Sequence, residues 1–221
     1  MSTRPGRLAA FLLAAALIAG AGAAGARPAA SPIEQAMGAY ERGEVDAARR
    51  MLEALSRQGL PAADYNLGVM ALDAGDAEAA AVHMRRAATA GFVTAMLGLG
   101  RLHEMGRLKG SDLPTAMRWY RLAAEGGSVE AMVETGTAHY LGRGAPLDKA
   151  QAAHWYREAA KGGDIGAQYL IASMYETGDG VPQDLRLARY WYAIAARNGD
   201  EAAPGKLKEV EAKIAGATEP P

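Results

Sequence analysis

The sequence contains no cysteine and only four histidines among its 221 residues. Without cysteine the chain cannot form disulfides, thiolate zinc sites, iron–sulfur clusters or a cysteine nucleophile, and it cannot carry a cysteine-linked lipid anchor. Four histidines leave few residues for a histidine metal site or for acid–base catalysis by histidine. The formal net charge is only −1, which argues against nucleic-acid binding through a basic surface. Hydrophobic residues make up 50% of the chain, so we expect a folded protein of one domain, or two at most.

A single apolar run lies near the N-terminus. Arg4 and Arg7 precede the apolar residues 8–19, and Ala24-Gly25-Ala26 follows as a small-residue cleavage signal. This combination is typical of a secretory signal peptide. The run is shorter than the roughly 20 apolar residues that a membrane span requires, and an uncleaved signal anchor is the alternative. We therefore predict a signal peptide over 1–26, a short linker over 27–32, and a periplasmic or secreted protein.

A repeat of 36 residues organises the rest of the sequence. Alanine pairs, aspartates and glycines recur at that spacing around three Trp-Tyr pairs, which are Trp119-Tyr120, Trp155-Tyr156 and Trp191-Tyr192. Agreement at several columns without a gap indicates a repeat protein. Two shorter and weaker units precede the three full ones. We predict units over 33–62, 63–94, 95–130, 131–166 and 167–202, followed by a polar capping helix over 203–216 and a disordered tail over 217–221.

Each full unit predicts two helices. In the second helix the apolar residues recur at i, i+3, i+4, i+7 and i+8, which is one stripe of an amphipathic helix: Ala116, Trp119, Tyr120, Ala123 and Ala124. Asp112, Asp148 and Asp184 precede these stripes and are natural N-caps. One helix pair cannot bury so wide a stripe alone, so successive pairs must stack into an α-solenoid with the Trp-Tyr pairs in its core.

The loop pattern G-x-G-x-P-x-D followed by A-x2-W-Y-x2-A-A-x2-G resembles the Sel1-like repeat, most closely from Ala167 to Gly199. Residues 95–202 resemble three such repeats, and residues 33–94 look closer to two shortened tetratricopeptide repeats. The resemblance implies an all-α, right-handed solenoid of antiparallel helix pairs that scaffolds protein–protein contacts. Exported bacterial members of this kind are often found in envelope processes, including the control of sensor kinases, so a regulatory role is one form of that function.

No motif for catalysis, cofactor or metal binding is found in the sequence. His103 and His139 share a repeat column, but one repeat separates them by about 10 Å, too far to share a metal ion. The glycine pairs Gly142-x-Gly144 and Gly178-x-Gly180 favour turns over phosphate loops, because neither a strand nor a Lys-Ser/Thr pair accompanies them. No Ser, His and Asp are expected to converge by repeat position. We therefore predict a non-enzyme, with a glycan- or peptidoglycan-binding protein or a cell-wall hydrolase as the alternatives.

The first helices of stacked pairs line a concave face, where ligands of solenoid proteins lie. Positions three before, one after and four after the repeated Gly of each first helix are expected to be exposed there. The predicted partner-binding residues are Tyr65, Val69, Leu72, Leu97, Arg101, Glu104, Val133, Thr137, Tyr140, Tyr169, Ser173 and Glu176. Their mixture of tyrosine, aliphatic and charged side chains suits an extended or helical peptide from an envelope or secreted protein. The alternative is that several of them pack between neighbouring first helices.

Overall fold

The computed structural model describes residues 30–216, so the predicted signal peptide and the tail 217–221 lie outside the described residues. Within this range the chain forms eleven α-helices and no strand. They are α1 (Pro32–Glu41), α2 (Val45–Arg57), α3 (Pro61–Asp73), α4 (Ala77–Thr89), α5 (Val93–Glu104), α6 (Leu113–Glu125), α7 (Val129–Leu141), α8 (Lys149–Lys161), α9 (Ile165–Thr177), α10 (Leu185–Arg197) and α11 (Ala203–Gly216). Within α1–α4 and within α6–α11, helices adjacent along the chain pack together, which confirms the predicted all-α solenoid of helix pairs.

The chain divides into two compact units. Of the described residues, the first contains 30–102 together with 107–109, and therefore α1–α4 and most of α5. The second contains residues 103–106 and 110–216, and therefore α6–α11.

Ser31 begins α1 with a capping box. Its Oγ accepts from the Glu34 amide at 3.2 Å, and its own amide donates to the Glu34 carboxylate at 2.6 Å.

Small side chains in the first unit let its helices approach closely. Between α3 and α4, a Cβ on Gly68 would lie 2.9 Å from Cγ of the buried Met84. A larger residue than glycine would therefore push α3 and α4 apart.

Aspartate caps set the start of every second helix in the second unit, as predicted. Asp112 accepts from the amide of Thr115 at 2.6 Å, and Asp148 and Asp184 each accept from two first-turn amides. The first helices are capped too, by Ser128 before α7 and Asp164 before α9. These caps start α7 and α9 two residues before the alanines that open the predicted units.

The Trp-Tyr pairs are only partly in the core. All three tyrosines are buried, and Trp191 is buried in one cluster with Ala203 and Val210 of α11. Trp119 and Trp155 are half-buried, so the core prediction is wrong for much of their surface. The tyrosine lies on the centre line of the apolar stripe, whereas the preceding tryptophan lies at its edge.

The glycine-pair loops are turns, which confirms that interpretation. Gly142 and Gly178 end α7 and α9 in the left-handed conformation, with φ of 68° and 77°. A Cβ on Gly144 would lie 2.6 Å from the Leu113 carbonyl oxygen. The second glycine of the loop therefore lets its backbone lie against the start of the second helix of the preceding repeat.

None of the helices in residues 30–216 combines the length and the hydropathy needed to cross a bilayer.

Candidate functional site

The expected exposure of the first-helix residues is wrong for Tyr65, Val69, Leu97 and Glu176, all of which are buried. The others lie at least partly open: Leu72, Arg101, Val133, Thr137, Tyr140, Tyr169 and Ser173 are half-buried, and Glu104 is exposed. Most of the open positions therefore belong to the second unit.

In the first unit, packing between neighbouring helices closes the predicted surface. The Tyr65 ring packs against Phe92, with ring centroids 5.3 Å apart, and burial raises the pKa of the Tyr65 phenol. Val69 and Leu97 each neighbour a glycine, and a Cβ on Gly98 would lie only 3.1 Å from Met84 Sδ. The alternative stated for these positions, packing between first helices and their neighbours, describes them correctly.

In the second unit, Glu176 is buried because α11 covers it. Its carboxylate accepts from the Tyr192 hydroxyl at 2.9 Å and from Lys213 Nζ at 2.5 Å, while Lys206 Nζ lies 4.0 Å away. Desolvation alone would raise the pKa of Glu176, but the hydrogen bonds from Lys213 and Tyr192 and the charge of Lys206 outweigh it and lower the pKa. Burial and the bond to Glu176 raise the pKa of Tyr192.

The tyrosine of each Trp-Tyr pair fixes one polar side chain of a first helix. Tyr120 donates to Glu104 at 2.7 Å, and Tyr156 shares a hydrogen bond of 3.0 Å with Thr137, just as Tyr192 bonds Glu176. Sequence reasoning placed these tyrosines in the core and missed their hydroxyls. The signal was present for two of them, since Glu and Tyr are 16 residues apart in both pairs.

Tyr140 takes part in a different arrangement. Its hydroxyl donates to Asp179 Oδ2 at 3.0 Å, and Lys149 Nζ lies 2.8 Å from the other oxygen of that carboxylate and 5.4 Å from the centre of the Tyr140 ring. The hydrogen bond from Lys149 is the main cause that lowers the pKa of Asp179. Tyr140 therefore holds the end of α7 in place, and its hydroxyl already donates a hydrogen bond to Asp179.

A small pocket opens beside Glu104. Its volume is about 30 Å³, and its lining residues are Glu104, Leu113, Ala116, Met117, Tyr120, Glu134, Thr137, Ala138 and Arg143. Arg143 Nη2 lies 3.7 Å from the Glu104 carboxylate. Sites that hold small molecules are about ten or more times larger. The pocket can accept the tip of a side chain but cannot enclose a metabolite.

Ser56, Asp64 and His83 meet in the first unit from non-equivalent repeat positions, which the expectation about repeat positions does not cover. Ser56 Oγ donates to Asp64 Oδ1 at 3.0 Å, and His83 Nδ1 lies 3.6 Å from the same oxygen. Arg86 bonds Ser56 at 3.0 Å and lies 3.5 Å from Asp64. A hydrolytic triad needs the serine on the imidazole. Here the serine and the imidazole both face the carboxylate, so the cluster joins α2, α3 and α4 structurally.

Across residues 30–216, no group of three or more histidine, aspartate or glutamate side chains is placed to hold a metal ion. We call the first-helix residues of the second unit that remain at least partly exposed the first-helix face. It is defined by Glu104, Val133, Thr137, Tyr140, Tyr169, Leu170 and Ser173.

Comparison with known proteins identifies the repeat. A family model described as Sel1 repeat matches residues 61–92, 93–128, 129–164 and 165–200. The first of these matches falls in the segment whose sequence looked closer to shortened tetratricopeptide repeats.

The solved structures similar to this chain include a bacterial antigen and a Sel1 repeat protein. A protective antigen of uropathogenic Escherichia coli strains, which displays an SLR fold, is 30% identical with a TM-score of 0.73, and the match covers 86% of this chain and 42% of the antigen. A Sel1 repeat protein from Oxalobacter formigenes is 28% identical with a TM-score of 0.65, and the match covers 83% of this chain and 80% of that protein. This chain thus spans less than half the length of the antigen. A search of curated proteins gave no match.

Proposed function

Because the chain belongs to the Sel1 repeat family, whose repeats generally mediate protein–protein interactions, we propose that it is a non-catalytic adaptor that binds a protein or peptide through the first-helix face of its second unit. The observation that carries this proposal is that tyrosine hydroxyls behind the face hold Glu104 and Thr137. Polar groups fixed in advance lose little freedom on binding. Half-buried Val133 and Tyr169 supply apolar area beside them.

The proposed contact residues of the second unit are those that remain open: Glu104, Val133, Thr137, Tyr140, Tyr169 and Ser173. Leu72 and Arg101 are proposed as partner contacts of the first unit by itself. Exposed Leu170 on α9 joins this set, although the sequence reasoning did not single it out. The pocket beside Glu104 is too small for a metabolite, which supports a macromolecular ligand for this face.

A matched pair of leucines tests the face directly. Leu170 on α9 and Leu187 on α10 are each 39% exposed, so an aspartate at either position perturbs the fold to a similar degree. Tagged wild-type protein, Leu170→Asp and Leu187→Asp are used to capture partners from an envelope extract, with quantitative mass spectrometry. We expect a partner that is lost with Leu170→Asp and retained with Leu187→Asp. Equal capture by both variants would contradict the assignment of the face.

We also propose that the protein is exported and that its partner is an envelope or secreted protein. The basic residues, apolar run and cleavage signal before residue 27 support export. Fractionation of cells expressing a C-terminally tagged chain, with and without residues 2–26, tests this. Export is expected for the full chain alone, and cytoplasmic accumulation of both forms would refute it.

Glycan binding is the second candidate, and the half-buried Trp119 and Trp155 favour it. Aromatic faces that stack on a sugar change their fluorescence. Titration of the protein with soluble peptidoglycan fragments should leave tryptophan emission unchanged if the adaptor proposal is correct. A saturable change would favour the glycan candidate, and release of new reducing ends or peptides would revive the hydrolase.

A further inference from the structure

The second helix of the last repeat differs in charge from its two equivalents in the second unit. α6 and α8 each carry basic residues and one glutamate, which is Glu125 in α6 and Glu158 in α8. The corresponding positions of α10 are Arg197 and Ile194, and α10 contains no acidic residue. The basic residues of α10 are Arg186, Arg189 and Arg197.

On α6 and α8 the glutamate lies beside the basic side chains. Arg121 Nε is 3.6 Å from the Glu125 carboxylate, and Lys161 Nζ is 2.8 Å from the Glu158 carboxylate. A carboxylate at this distance offsets much of the positive charge that an approaching anion would meet. These two helices therefore offer an anion less attraction than their arginines and lysines alone suggest.

The three arginines of α10 are exposed, and their charge is not offset in this way. Across residues 30–216, none of them forms an ion pair with a carboxylate. Asp184 and Asp200 flank the helix, but one oxygen of each accepts hydrogen bonds from two backbone amides at the start of α10 and of α11 respectively. α10 thus presents three guanidinium groups to solvent.

The arginines share the exposed side of α10 with two apolar side chains. Arg186, Tyr190 and Arg197 follow one another at i, i+4 and i+11, which places them on one face of a helix with 3.6 residues per turn. Tyr190 is 55% exposed and Leu187 is 39% exposed. The Tyr190 ring lies edge-on to the buried Trp191, with ring centroids 5.2 Å apart. We call this surface the α10 arginine face, and it is defined by Arg186, Leu187, Arg189, Tyr190 and Arg197.

This combination of side chains matches the chemistry of an anionic lipid surface. Guanidinium groups bind phosphate oxygens through paired N–H donors. Tyrosine is favoured at the level of the lipid headgroups, and leucine gains from burial at the boundary of the acyl chains. A soluble anion would use the arginines but would leave Leu187 and Tyr190 in water, so the exposed apolar side chains favour a bilayer.

We propose that the α10 arginine face binds the surface of an anionic phospholipid bilayer. The arginines contact lipid phosphates, and Tyr190 and Leu187 lie at the headgroup level. The net charge of the whole chain does not oppose this contact strongly, because charges more than about 10 Å from the membrane are screened at 0.1 M salt. The proposal goes beyond the adaptor function and does not depend on it, since the first-helix face is formed by other helices.

Vesicle sedimentation tests the proposal. The protein lacks residues 2–26, because the apolar run 8–19 would itself bind lipid, and it keeps every described residue. Vesicles of phosphatidylglycerol with phosphatidylcholine, or of phosphatidylcholine alone, are titrated to about 5 mM lipid, roughly 50-fold above the level that half-binds a single myristoyl anchor. We expect saturable binding to the vesicles that contain phosphatidylglycerol and at least tenfold weaker binding to phosphatidylcholine alone, since each arginine contributes about fivefold at an anionic surface.

Two double variants with the same change in charge locate the contact. Replacement of both Arg186 and Arg189 by glutamine should weaken binding to the anionic vesicles about 25-fold, at about fivefold for each arginine. Replacement of both Arg118 and Arg121 by glutamine removes two exposed arginines of α6 and should leave binding unchanged. All four positions are exposed, so far-ultraviolet circular dichroism should show wild-type helicity in both variants.

The leucine variants separate lipid binding from partner capture. Leu187→Asp should weaken vesicle binding at least fivefold, because it replaces an apolar contact with a negative charge. Leu170→Asp should bind vesicles like wild type. These are the opposite of the effects expected on partner capture, so the two proposals fail separately.

Four results would overturn the lipid proposal. They are no binding to the anionic vesicles at about 5 mM lipid, equal binding to both kinds of vesicle, equal weakening by the two double variants, and equal binding of Leu170→Asp and Leu187→Asp. Binding to soluble polygalacturonate without binding to either kind of vesicle would also overturn it, because the α10 arginine face would then be a site for an anionic glycan.

Discussion

The hydroxyls of Tyr192 and Tyr120 contribute unequally to the free energy of unfolding, because the glutamates that they bind are buried to different degrees. Tyr192 and Tyr120 each donate to a glutamate at nearly the same distance, but the Glu176 side chain is 6% exposed and the Glu104 side chain is 34% exposed. Removing the Tyr192 hydroxyl leaves a buried carboxylate short of one donor, which costs about 1.5–3 kcal/mol. Water can replace the Tyr120 hydroxyl at Glu104, so its loss costs only about 0.5–1 kcal/mol.

The experiment compares Tyr192→Phe with Tyr120→Phe. Phenylalanine keeps each ring in the core, so the variants differ from wild type by one hydroxyl. Urea unfolding followed by far-ultraviolet circular dichroism gives the free energy of unfolding of each protein. Tyr192→Phe is expected to lose at least twice as much stability as Tyr120→Phe. Equal losses, or a larger loss in Tyr120→Phe, would refute the reasoning that α11 shields Glu176 from water.

Further expectations concern pH, packing and modularity. Because the pKa of Glu176 is lowered in the folded protein, its ionised form stabilises the fold above the ordinary glutamate pKa, and this stabilisation is lost as the pH falls through the lowered value. The difference in free energy of unfolding between wild type and Glu176→Gln, measured by urea unfolding, should therefore shrink in acid. A difference that stays constant with pH would contradict the ion pair. A Cβ on Gly136 would lie 2.9 Å from the Tyr156 ring, so Gly136→Ala should lower the free energy of unfolding by about 1–3 kcal/mol. Gly166 is exposed, so Gly166→Ala should cost no stability. Equal thermal midpoints for the two variants would count against tight packing at Gly136. Deletion of 129–164, one complete repeat, should leave a shorter helical protein that unfolds cooperatively, and aggregation would argue against nearest-neighbour stacking.

The repeat can be predicted from the sequence because the interactions that form it join residues close together along the chain. Each Asp cap lies a fixed number of residues before an apolar stripe, and glycine pairs mark the turns, so periodicity alone predicts the helix pairs. Asp112, Asp148 and Asp184 all cap as expected. The small shift in the start of the first helices has a local cause as well, since Ser128 was not considered as a cap.

The site is less readable because it depends on contacts between distant segments. Nothing in the polar pattern of α11 shows where it docks, so Lys206 and Lys213 look solvated and Glu176 looks exposed. Ser56, Asp64 and His83 come from non-equivalent positions of three helices, so repeat columns could not bring them together. Only the constant separation between Glu104 and Tyr120, repeated in the last unit, could have been found from the sequence.

Site-specific photocrosslinking in living cells tests the central claim most directly. A photoreactive amino acid replaces Ser173 on α9 in one strain and exposed Arg186 on α10 in another. The account predicts a discrete crosslinked adduct with one protein from position 173 and none from position 186. Adducts from position 186 alone, or from neither position in cells where the protein is exported and folded, would contradict binding through the first-helix face.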